Sequence, residues 1–573
     1  MIGLIAVTAA GRAAAARLAA LWPESRTYQG PAPRALARAF GECDQVVCFL
    51  AVGATVRLIA PLLTSKAADP GVVCVDEALT FAVPVAGAHA GGANALASKI
   101  ADVLGATAVI TTASDAAGVA ALDEFGAGSG LRVAPGSRLA EVGAAVLSAG
   151  RVTLSMDQNW PVPALPPNVV RTPAPEPGIP AIVISDRVPA TSARPAPPMV
   201  LYRPPSLVLG AGASRGVTAA EMGDLMDKAL EDAGLSADCV RRVATVDLKR
   251  GERGLVAAAS QRGWELTGFA PADLAMVVVP NPSETVRAAI GTPSVAEAAA
   301  LLAAGEGAVL AAHKAKSPHA TVAIARRPPR GRLALVGLGP GARDLITPRS
   351  VGELRRASVV VGLSQYVDQI RDLLRPGTRV LASQIGAEEE RVATAVAQAR
   401  AGHAVALIGS GDAGIYAMAS PALEFAGREI DVCGAPGVTA ALAAAAALGA
   451  PLGHDHAAIS LSDLHTPWEA IERRISAAAE ADFVVCFYNP RSRARAGHLA
   501  KALALLAAHR APDTPVGMVA GASRPGQRVV LSTLAEFDPA EVDMRTLVVV
   551  GSSATRIIAG RMVTPRGYRW RQR

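Results

Sequence analysis

The sequence predicts a multidomain α/β protein whose sheets are mostly parallel. The chain has 573 residues, which is more than one hydrophobic core accommodates. Apolar residues make up 51% of it and charged residues 18%, as in globular proteins. Apolar runs of strand length alternate with segments of helix length, which is typical of parallel strands covered on both faces.

The alternation is interrupted twice by proline, and these interruptions predict four regions. The first zone covers 161–204, and the second is the short linker RRPPR at 326–330. We expect domains at 1–128, 205–326 and 331–573, with a Pro-rich middle region at 129–204. The predicted strands are 2–7, 46–50, 72–75, 109–112, 181–185, 206–210, 321–325, 333–336, 358–361, 404–408, 483–486, 516–520 and 546–550.

Composition also bears on location and partners. The apolar start of the chain precedes its first arginines, the reverse of a signal peptide, so a cytoplasmic protein is expected. The uncharged stretch 432–453 is broken by glycine and proline, which favours a buried turn and a packed helix over a membrane span.

The six cysteines form no CxxC pair, and no metal site is predicted. The net charge of +7 suits an acidic partner. With 3% aromatic residues and no basic run among them, nucleic acid is not expected, whereas a small polycarboxylate fits.

The first motif of the C-terminal region is the glycine-rich turn GLGPG, which follows a predicted strand. A dinucleotide loop was the first alternative, because such loops have this spacing. Pro340, however, removes an amide that a pyrophosphate would use. The next strand ends in Gly362, Leu363 and Ser364, without the acid that binds a nicotinamide ribose. A nicotinamide enzyme is therefore disfavoured, and a plain tight turn stays possible.

Two further motifs follow later strands. In GSGDAG the glycines allow close backbone approach to a ligand, and Asp412 can accept hydrogen bonds or simply cap a helix. In PGVTAA, Thr439 begins an Ala-rich helix.

Six motifs in order, GLGPG, SGDAGIY, PGVTAA, SLSDLHTPW, FYNPRS and TPRGY, resemble those of the tetrapyrrole methylase family. The branch that they resemble is that of the precorrin-3B (or cobalt-precorrin-3) C17-methyltransferases. The resemblance implies a two-lobed fold, S-adenosylmethionine as methyl donor, a polycarboxylate tetrapyrrole substrate and a homodimer. The residues implied to bind the donor are Pro340, Ser410, Gly411, Asp412, Ile415, Thr439, Ala440, Asn489 and, more weakly, Gly551.

The reaction of that family also contracts the macrocycle, which requires proton transfer. The candidate acids and bases are His454, Asp455, Asp463 and His465. For each of them, a helix cap or a satisfied polar side chain remains an equal alternative.

The N-terminal half contains VGATVRLIAP, AGAHAGGAN and VITTASD, and a later segment contains LVLGAGASRGVTAAE and NPSETV. Arg57 and Lys66 are candidate carboxylate ligands, and Gly91, Gly92 and Asn94 predict an anion-binding helix N-terminus. His89 lies beside that turn as a candidate catalytic residue, although a turn residue is the commoner role.

These motifs resemble cobalt-precorrin-5A hydrolase, which opens a lactone and releases acetaldehyde. The resemblance implies a bifunctional protein and favours a substrate that already contains cobalt. A non-catalytic module that binds and delivers a tetrapyrrole is the alternative.

The segment Gly212–Gly216 also fits the GxSxG pattern of a serine nucleophile, with Asp247 and either His313 or His319 following in order. The resembled family commonly has arginine where Ser214 stands, so we expect a ligand-binding turn instead.

Overall fold

The computed structural model describes residues 1–65, 68–189, 197–492 and 495–568. It divides into two units. Unit 1 comprises Met1–Pro329 with Arg375–Gly377, and unit 2 comprises Arg330–Leu374 with Thr378–Arg573. The predicted fold class, a mixed α/β chain with mostly parallel sheets, is confirmed.

The first sheet of unit 1 has strands β1 (Ile2–Ala6), β2 (Ser25–Tyr28), β3 (Gln45–Phe49), β4 (Gly71–Val75), β5 (Phe81–Ala86) and β6 (Thr107–Ala108). Its helices are α1 (Ala9–Leu21), α2 (Ala32–Glu42), α3 (Val52–Ile59) and α4 (Ala93–Leu104). The strand order is β2-β1-β3-β4-β5-β6, with only β4 and β5 antiparallel among the described pairs. Leu18 and Leu96 cover one face and Leu36 and Ile59 the other, which explains why the central strands are apolar throughout.

The strand predicted at 109–112 is wrong. The pairing ends with β6, and only the amide of Val109 continues it, donating to the carbonyl of Ala82 at 2.9 Å. The chain then turns into the short helix α5 (Ala113–Ala116), because the hydroxyl of Thr112 bonds to Asp115. A local side-chain hydrogen bond of this kind offers the chain an alternative to pairing in the sheet, even in a segment of β-branched residues.

The Pro-rich middle region contains more structure than its composition predicts. It forms strands β7 (Arg132–Val133), β8 (Val152–Met156), β9 (Val169–Arg171), β10 (Ala181–Ile184) and β11 (Met199–Arg203), with helix α6 (Leu139–Leu147). The strand order is β7-β11-β10-β8-β9. Most of the prolines lie in the loops between strands, where they cost no ladder hydrogen bond. Trp160 and Tyr202 belong to a core that also includes Leu122 and Phe125 from the segment before this region.

The third sheet has strands β12 (Leu207–Ala213), β13 (Val240–Val246), β14 (Glu265–Phe269), β15 (Val309–Lys316) and β16 (Ala320–Arg326). Its helices are α7 (Ala219–Asp232), α8 (Arg253–Gln261), α9 (Pro271–Ala275), α10 (Glu284–Ile290) and α11 (Ala296–Ala304). The order is β14-β13-β12-β16-β15, parallel on one side of β12 and antiparallel on the other. Helix α11 packs so closely on β12 that a Cβ atom on Gly210 would lie 1.8 Å from the carbonyl oxygen of Ala296.

Unit 2 begins with a wholly parallel sheet. Its strands are β17 (Arg332–Gly337), β18 (Val359–Leu363), β19 (Arg379–Ser383), β20 (Ala404–Gly409) and β21 (Asp431–Ala435). Its helices are α12 (Pro348–Arg356), α13 (Ser364–Asp368), α14 (Glu388–Arg400) and α15 (Ala419–Phe425). The order β19-β18-β20-β17-β21 places β17 between β20 and β21.

The rest of unit 2 is a second lobe. It contains α16 (Ala440–Leu448), β22 (Gly449–Ala450), β23 (His456–Ser460), α17 (Trp468–Glu480), β24 (Val484–Tyr488), α18 (His498–Ala507), β25 (Pro515–Ala520), β26 (Arg528–Thr533), β27 (Thr546–Val550), β28 (Arg556–Ile558) and β29 (Arg561–Val563). Five strands form a sheet in the order β23-β24-β27-β25-β26, and β22-β29-β28 form a small one. Here only β23 and β24 are parallel within the larger sheet, so this lobe is the exception to the mostly parallel pattern.

The stretch 432–453 forms β21, a turn and the packed helix α16, as predicted, but the turn is not buried, because Pro436 is exposed. In the described part of the chain, no helix combines the length and the apolarity that crossing a membrane requires. The six cysteines are free thiols, and burial raises the pKa of Cys486 to about 12.

Candidate functional site

Three loops meet at one edge of the parallel sheet of unit 2. They follow β20, β17 and β21, which are neighbours in that sheet. Because parallel strands end on the same side, the motifs GLGPG, GSGDAG and PGVTAA come together there, although up to a hundred residues separate them. We call this place the three-loop edge: 337–341, 409–414 and 436–440.

Backbone contacts bring the three loops close to one another. Gly339 and Gly411 exchange two hydrogen bonds, of 3.0 and 2.7 Å, in an isolated antiparallel bridge. A Cβ atom on Gly437 would lie 2.0 Å from the carbonyl oxygen of Gly411, and one on Gly337 would lie 2.7 Å from the same oxygen. Glycine is therefore required at Gly337 and Gly437 for close approach of the backbones.

Gly411 is glycine for a different reason. Its φ is +66°, in the left-handed region that favours glycine. A Cβ atom at this position would be in ordinary van der Waals contact with Cα of Thr439 at 3.7 Å and N of Ala440 at 3.9 Å. Because glycine has no side chain, the backbone at the start of α16 stays within reach of a ligand that contacts backbone.

Asp412 connects two of the loops. Its Oδ2 accepts a hydrogen bond of 3.0 Å from the amide of Gly437, and its Oδ1 accepts one of 2.8 Å from the amide of Gly414. The carboxylate therefore holds the second and third loops together. It does not cap α15, which is the alternative that the sequence left open, because that helix begins only at Ala419.

Two tyrosines join the three-loop edge to the second lobe. The hydroxyl of Tyr488 lies 2.6 Å from Oγ1 of Thr439 and accepts a bond of 3.1 Å from the amide of Ala441. Its ring centroid is 5.1 Å from that of Tyr416, whose hydroxyl donates to the carbonyl of Ala458 at 2.7 Å. Burial raises the pKa of both phenols, so both stay protonated and can donate at neutral pH.

Eight of the nine predicted ligand residues lie on the three-loop edge, directly after it or next to Tyr488. Pro340 is buried, and its carbonyl accepts a bond of 2.8 Å from Nε of Arg524. Ile415 is 40% exposed. Asn489 follows Tyr488 directly, has a φ of +49° and donates to Oγ of Ser460 at 3.1 Å. The eight are Pro340, Ser410, Gly411, Asp412, Ile415, Thr439, Ala440 and Asn489.

Gly551 is not brought to this group. Strand β27 runs antiparallel to β24, with Val550 opposite Val485, so the end of β27 lies at the start of β24. Asn489 follows the other end of β24. The carbonyl of Gly551 accepts a bond of 3.3 Å from the buried Arg510, which is a structural contact. The sequence could not show that Gly551 and Asn489 follow strand ends on opposite sides of the sheet, since strand direction in this lobe departs from the parallel pattern.

Of the four predicted acids and bases, only Asp463 lies in a polar cluster. Its carboxylate is 3.5 Å from Nε2 of His498 and 3.9 Å from Nη1 of Arg495. His498 is 15% exposed, and its ring stacks on Trp468 with a centroid distance of 4.5 Å. Its Nδ1 lies 3.2 Å from the carbonyl of Leu461. The imidazole is therefore held in one orientation between an aromatic face and a carboxylate.

The other three candidates are exposed. The imidazole of His454 is 58% exposed and the carboxylate of Asp455 is 83% exposed, with 3.8 Å between them. His465 also lies on the surface. Such positions give no control over the direction of proton transfer.

His89 lies between two aspartates in unit 1. Its Nε2 is 2.8 Å from Oδ2 of Asp115, and its Nδ1 is 3.7 Å from Oδ1 of Asp123. Asn94 donates to the same oxygen of Asp115 at 2.9 Å. Burial favours the neutral carboxyl, but the bonds from Thr112 and His89 outweigh it and lower the pKa of Asp115. The imidazole is 10% exposed, so this is an ordered acid–base group and not a surface turn residue.

The predicted anion-binding helix N-terminus is wrong. The amides of Gly92, Ala93 and Asn94 donate to the carbonyls of His89, Gly87 and Ala88 within the same turn. They are therefore not available to an anion.

The two predicted carboxylate ligands of this half have separate outcomes. Arg57 is exposed and donates to the carbonyl of Gly53 one turn earlier in its own helix at 3.0 Å. Lys66 lies outside the described residues.

Ser214 is not arranged as a nucleophile. Strand β12 ends at Ala213, but helix α7 begins only at Ala219, so the sharp strand-to-helix turn that exposes a catalytic serine is missing from this described segment. The imidazole of His319 points to Glu221, with 3.2 Å between Nδ1 and Oε2. The backbone amide of Ser214 donates to the carbonyl of His319, so the two residues meet through their main chains.

Sequence reasoning missed five residues of these sites: Tyr416, Tyr488, Asp115, Asp123 and His498. Tyr416 follows the glycines of GSGDAG within two residues, which is a usable signal, whereas Tyr488 and Asp115 stand in FYNPRS and VITTASD, which contain no glycine. Asp123 and His498 carry no such signal, because only folding brings them to His89 and Asp463.

Three segments of the chain match known families. Residues 332–538 match the tetrapyrrole (corrin/porphyrin) methylases, residues 207–325 the cobalamin synthesis G C-terminus, and residues 34–115 the cobalamin synthesis G N-terminal family. A probable cobalt-factor III C(17)-methyltransferase of Salmonella typhimurium is 48% identical over 239 residues, which are 41% of this chain and 99% of that protein. A cobalt-factor III methyltransferase of Priestia megaterium is 42% identical over 42% of this chain and 45% of its own length.

Solved structures match both halves. The crystal structure of the methyltransferase CobJ is 38% identical, covers 41% of this chain and is itself covered completely, with a TM-score of 0.40. A putative cobalamin biosynthesis protein G homolog from Sulfolobus solfataricus is 21% identical and covers 57% of this chain and 96% of its own, with a TM-score of 0.25.

Proposed function

We propose, for a chain that belongs to the tetrapyrrole (corrin/porphyrin) methylase family, that residues 331–573 methylate C17 of precorrin-3B or cobalt-precorrin-3 with contraction of the ring. The observation that carries the proposal is the three-loop edge, with the left-handed Gly411 against Thr439 and the bond from Thr439 to Tyr488. The chain takes part in cobalamin biosynthesis, as the families matched by both halves indicate.

The methyl donor is S-adenosylmethionine, which supplies a methyl group already activated on a sulfonium. The three-loop edge is compatible with such a donor, because Gly411 has no side chain over the start of α16 and a ligand can approach the backbone there. We propose that Pro340, Ser410, Gly411, Asp412, Ile415, Thr439, Ala440 and Asn489 hold it. Gly551 is not part of this proposal, because it follows the end of β27, which pairs with the start of β24, whereas Asn489 follows the other end of β24.

The protein's own contribution to methylation is mainly positioning. Asp412 fixes the second loop to the third, and Tyr488 fixes the third loop to the second lobe. A rigid cleft that aligns two reactants and excludes water can lower a barrier by roughly 7–11 kcal/mol. Association of two chains through residues 331–573 is part of the proposal and rests on the family resemblance.

The proposed function is tested by product mass. Purified protein incubated with S-adenosylmethionine and either precorrin-3B or cobalt-precorrin-3 is expected to convert one of them to a product heavier by one methyl group. Omitting the donor is the control. An unchanged mass with both tetrapyrroles, from protein that binds the donor, would contradict the assignment of substrate.

Asp463 and His498 are the proposed proton-transfer pair of ring contraction. Asp463→Asn keeps the shape of the side chain and removes its charge, so we expect turnover to fall by about 10²–10⁴-fold, the usual contribution of general acid–base catalysis. Donor affinity should stay unchanged, because Asp463 lies outside the three-loop edge. The measurements are single-turnover rates across pH and donor titration.

The matched control is Asp455→Asn, which removes the same charge from a carboxylate that is 83% exposed. It should change the rate by less than about threefold. Equal losses in the two variants, or a larger loss at Asp455, would rule out the pair.

For residues 1–326 we propose lactone opening of cobalt-precorrin-5A. The support is His89, buried between Asp115 and Asp123 in a half that matches the two cobalamin synthesis G families. With Nε2 bonded to Asp115 and Nδ1 3.7 Å from Asp123, the imidazole is held in a fixed position from which it could transfer a proton. Asp115 would hold the ring. A delivery module without catalysis is the alternative.

A further inference from the structure

Two adjoining clefts lie on the third sheet of unit 1, far in sequence from His89. One, of about 340 Å³, extends from Ser214 and Lys249 to the turn 317–320. The other, of about 720 Å³, lies between Pro280–Ser283 and His313–Lys316. They share Ser283, Lys314 and Lys316, so they form one groove, which we call the lysine groove.

The side chains that line the lysine groove include three lysines. They are Lys249, Lys314 and Lys316, and among the described lining residues none is acidic. Lys249 is 3.6 Å from Glu252, which offsets its charge, and the ammonium of Lys314 donates to the carbonyl of Asn281 at 3.0 Å. Two of the three ammonium groups are therefore held in place, and Lys314 and Lys316 are the lysines that both clefts share.

The walls of the groove are fixed by a carboxylate buried beneath them. Glu297 on α11 has no exposed surface, and it accepts bonds from the side-chain amide of Asn281 at 2.7 Å and from the backbone amide of Lys314 at 3.3 Å. It thereby ties the loop at one wall to β15 at the other. Because this buried carboxyl group bonds to both walls, the groove has a defined shape.

The far wall is closed in the same way. Glu221 on α7 accepts bonds from the hydroxyl of Ser317 at 2.6 Å and from the amide of His319 at 2.8 Å. The rest of the lining is partly apolar, with Val286 and Ile290 on α10. A ligand for this site must therefore carry several anionic groups around an apolar body, and volumes of this size are usual for small-molecule sites.

We propose that the lysine groove binds a polycarboxylate macrocycle, with Lys314 and Lys316 pairing with its carboxylates. The choice of a tetrapyrrole rests on the proposed function, whereas the recognition of a multiple carboxylate with an apolar body rests on the groove alone. The binding site assigned in this way is distinct from the three-loop edge and from His89.

The experiment is lysine footprinting on the full chain with uroporphyrin, a stable polycarboxylate porphyrin, at low ionic strength. We expect uroporphyrin to protect Lys314 and Lys316 from acylation, while Lys228, which is 69% exposed on α7, reacts as before. A porphyrin with cationic side chains should protect neither. Equal acylation of Lys314 and Lys316 with and without uroporphyrin would overturn the proposal.

A second measurement uses Lys314→Gln with Lys316→Gln. We expect the affinity of this site for uroporphyrin to fall by about five- to twentyfold at low salt, and by less at high salt, because exposed charge pairs are weak and screened. Lys99→Gln with Lys228→Gln is the matched control and should bind as wild type. Equal affinity in both double variants would contradict the proposal.

The two proposals fail separately. If uroporphyrin protects the groove but no acetaldehyde is released from cobalt-precorrin-5A, the hydrolase function is contradicted and the binding site is supported. If acetaldehyde is released but the groove is not protected, the binding site is contradicted and the hydrolase function is supported.

Discussion

Replacing Gly411 by leucine is expected to abolish binding of S-adenosylmethionine while the chain stays folded. A Cβ atom on Gly411 would already contact Thr439 and Ala440, so a leucine side chain would cover the start of α16, where the donor is proposed to bind. The expected loss of affinity is at least about hundredfold, or about 2.7 kcal/mol. Calorimetric titration of the purified full chain measures it.

The control for this variant distinguishes obstruction of the donor site from strain in the backbone. Leucine at a left-handed position costs roughly 1–2 kcal/mol wherever it stands. Gly560 has a φ of +72°, close to the +66° of Gly411, and has no atom within 4 Å of a Cβ position. Gly560→Leu should therefore lower stability similarly and bind the donor as wild type does. Normal donor binding by Gly411→Leu would show that the donor lies elsewhere.

Replacing His89 by alanine is expected to reduce acetaldehyde release from cobalt-precorrin-5A by about 10²–10⁴-fold, because a positioned acid–base group typically contributes that much. The full chain is assayed without added S-adenosylmethionine, so that no methyl transfer takes place during the assay. Asp115→Asn should cost less, since it leaves the imidazole in place and removes only the carboxylate 2.8 Å from Nε2.

Ser214→Ala is the discriminating variant for the same assay. It should cost less than about tenfold, whereas loss of a true serine nucleophile costs several orders of magnitude. If Ser214→Ala loses acetaldehyde release by several orders of magnitude while His89→Ala releases it normally, Ser214 would be the nucleophile. No release by the wild-type chain would favour the delivery module.

The fold class followed from the sequence because buried parallel strands are apolar along their whole length. Strands β3, β4, β17, β20 and β27 were all found within one or two residues of their observed ends. The apolar pattern does not indicate the direction of a strand. An antiparallel strand buried on both faces, such as β27, has the same apolar run as a parallel one, so the position of Gly551 was not predictable.

The candidate sites divide in the same way. The three-loop edge was predictable because its glycine motifs directly follow strands. Loops that follow neighbouring parallel strands lie at the same edge of the sheet. Asp115 and Asp123 at His89, and His498 at Asp463, depend on contacts between distant segments. The anion-binding turn at Gly91 and Gly92 failed because its amides have partners within the turn, which composition does not reveal.

The central claim is that residues 331–573 transfer a methyl group to C17 of a tetrapyrrole. Its most direct test is to incubate the full chain with S-adenosylmethionine labelled with ¹³C at the methyl carbon, supply precorrin-3B and cobalt-precorrin-3 in parallel, and locate the label by carbon NMR. The account predicts one labelled methyl group, bonded to C17 of a ring-contracted product. Label on another ring carbon, or none on the tetrapyrrole while donor binding is normal, would contradict it.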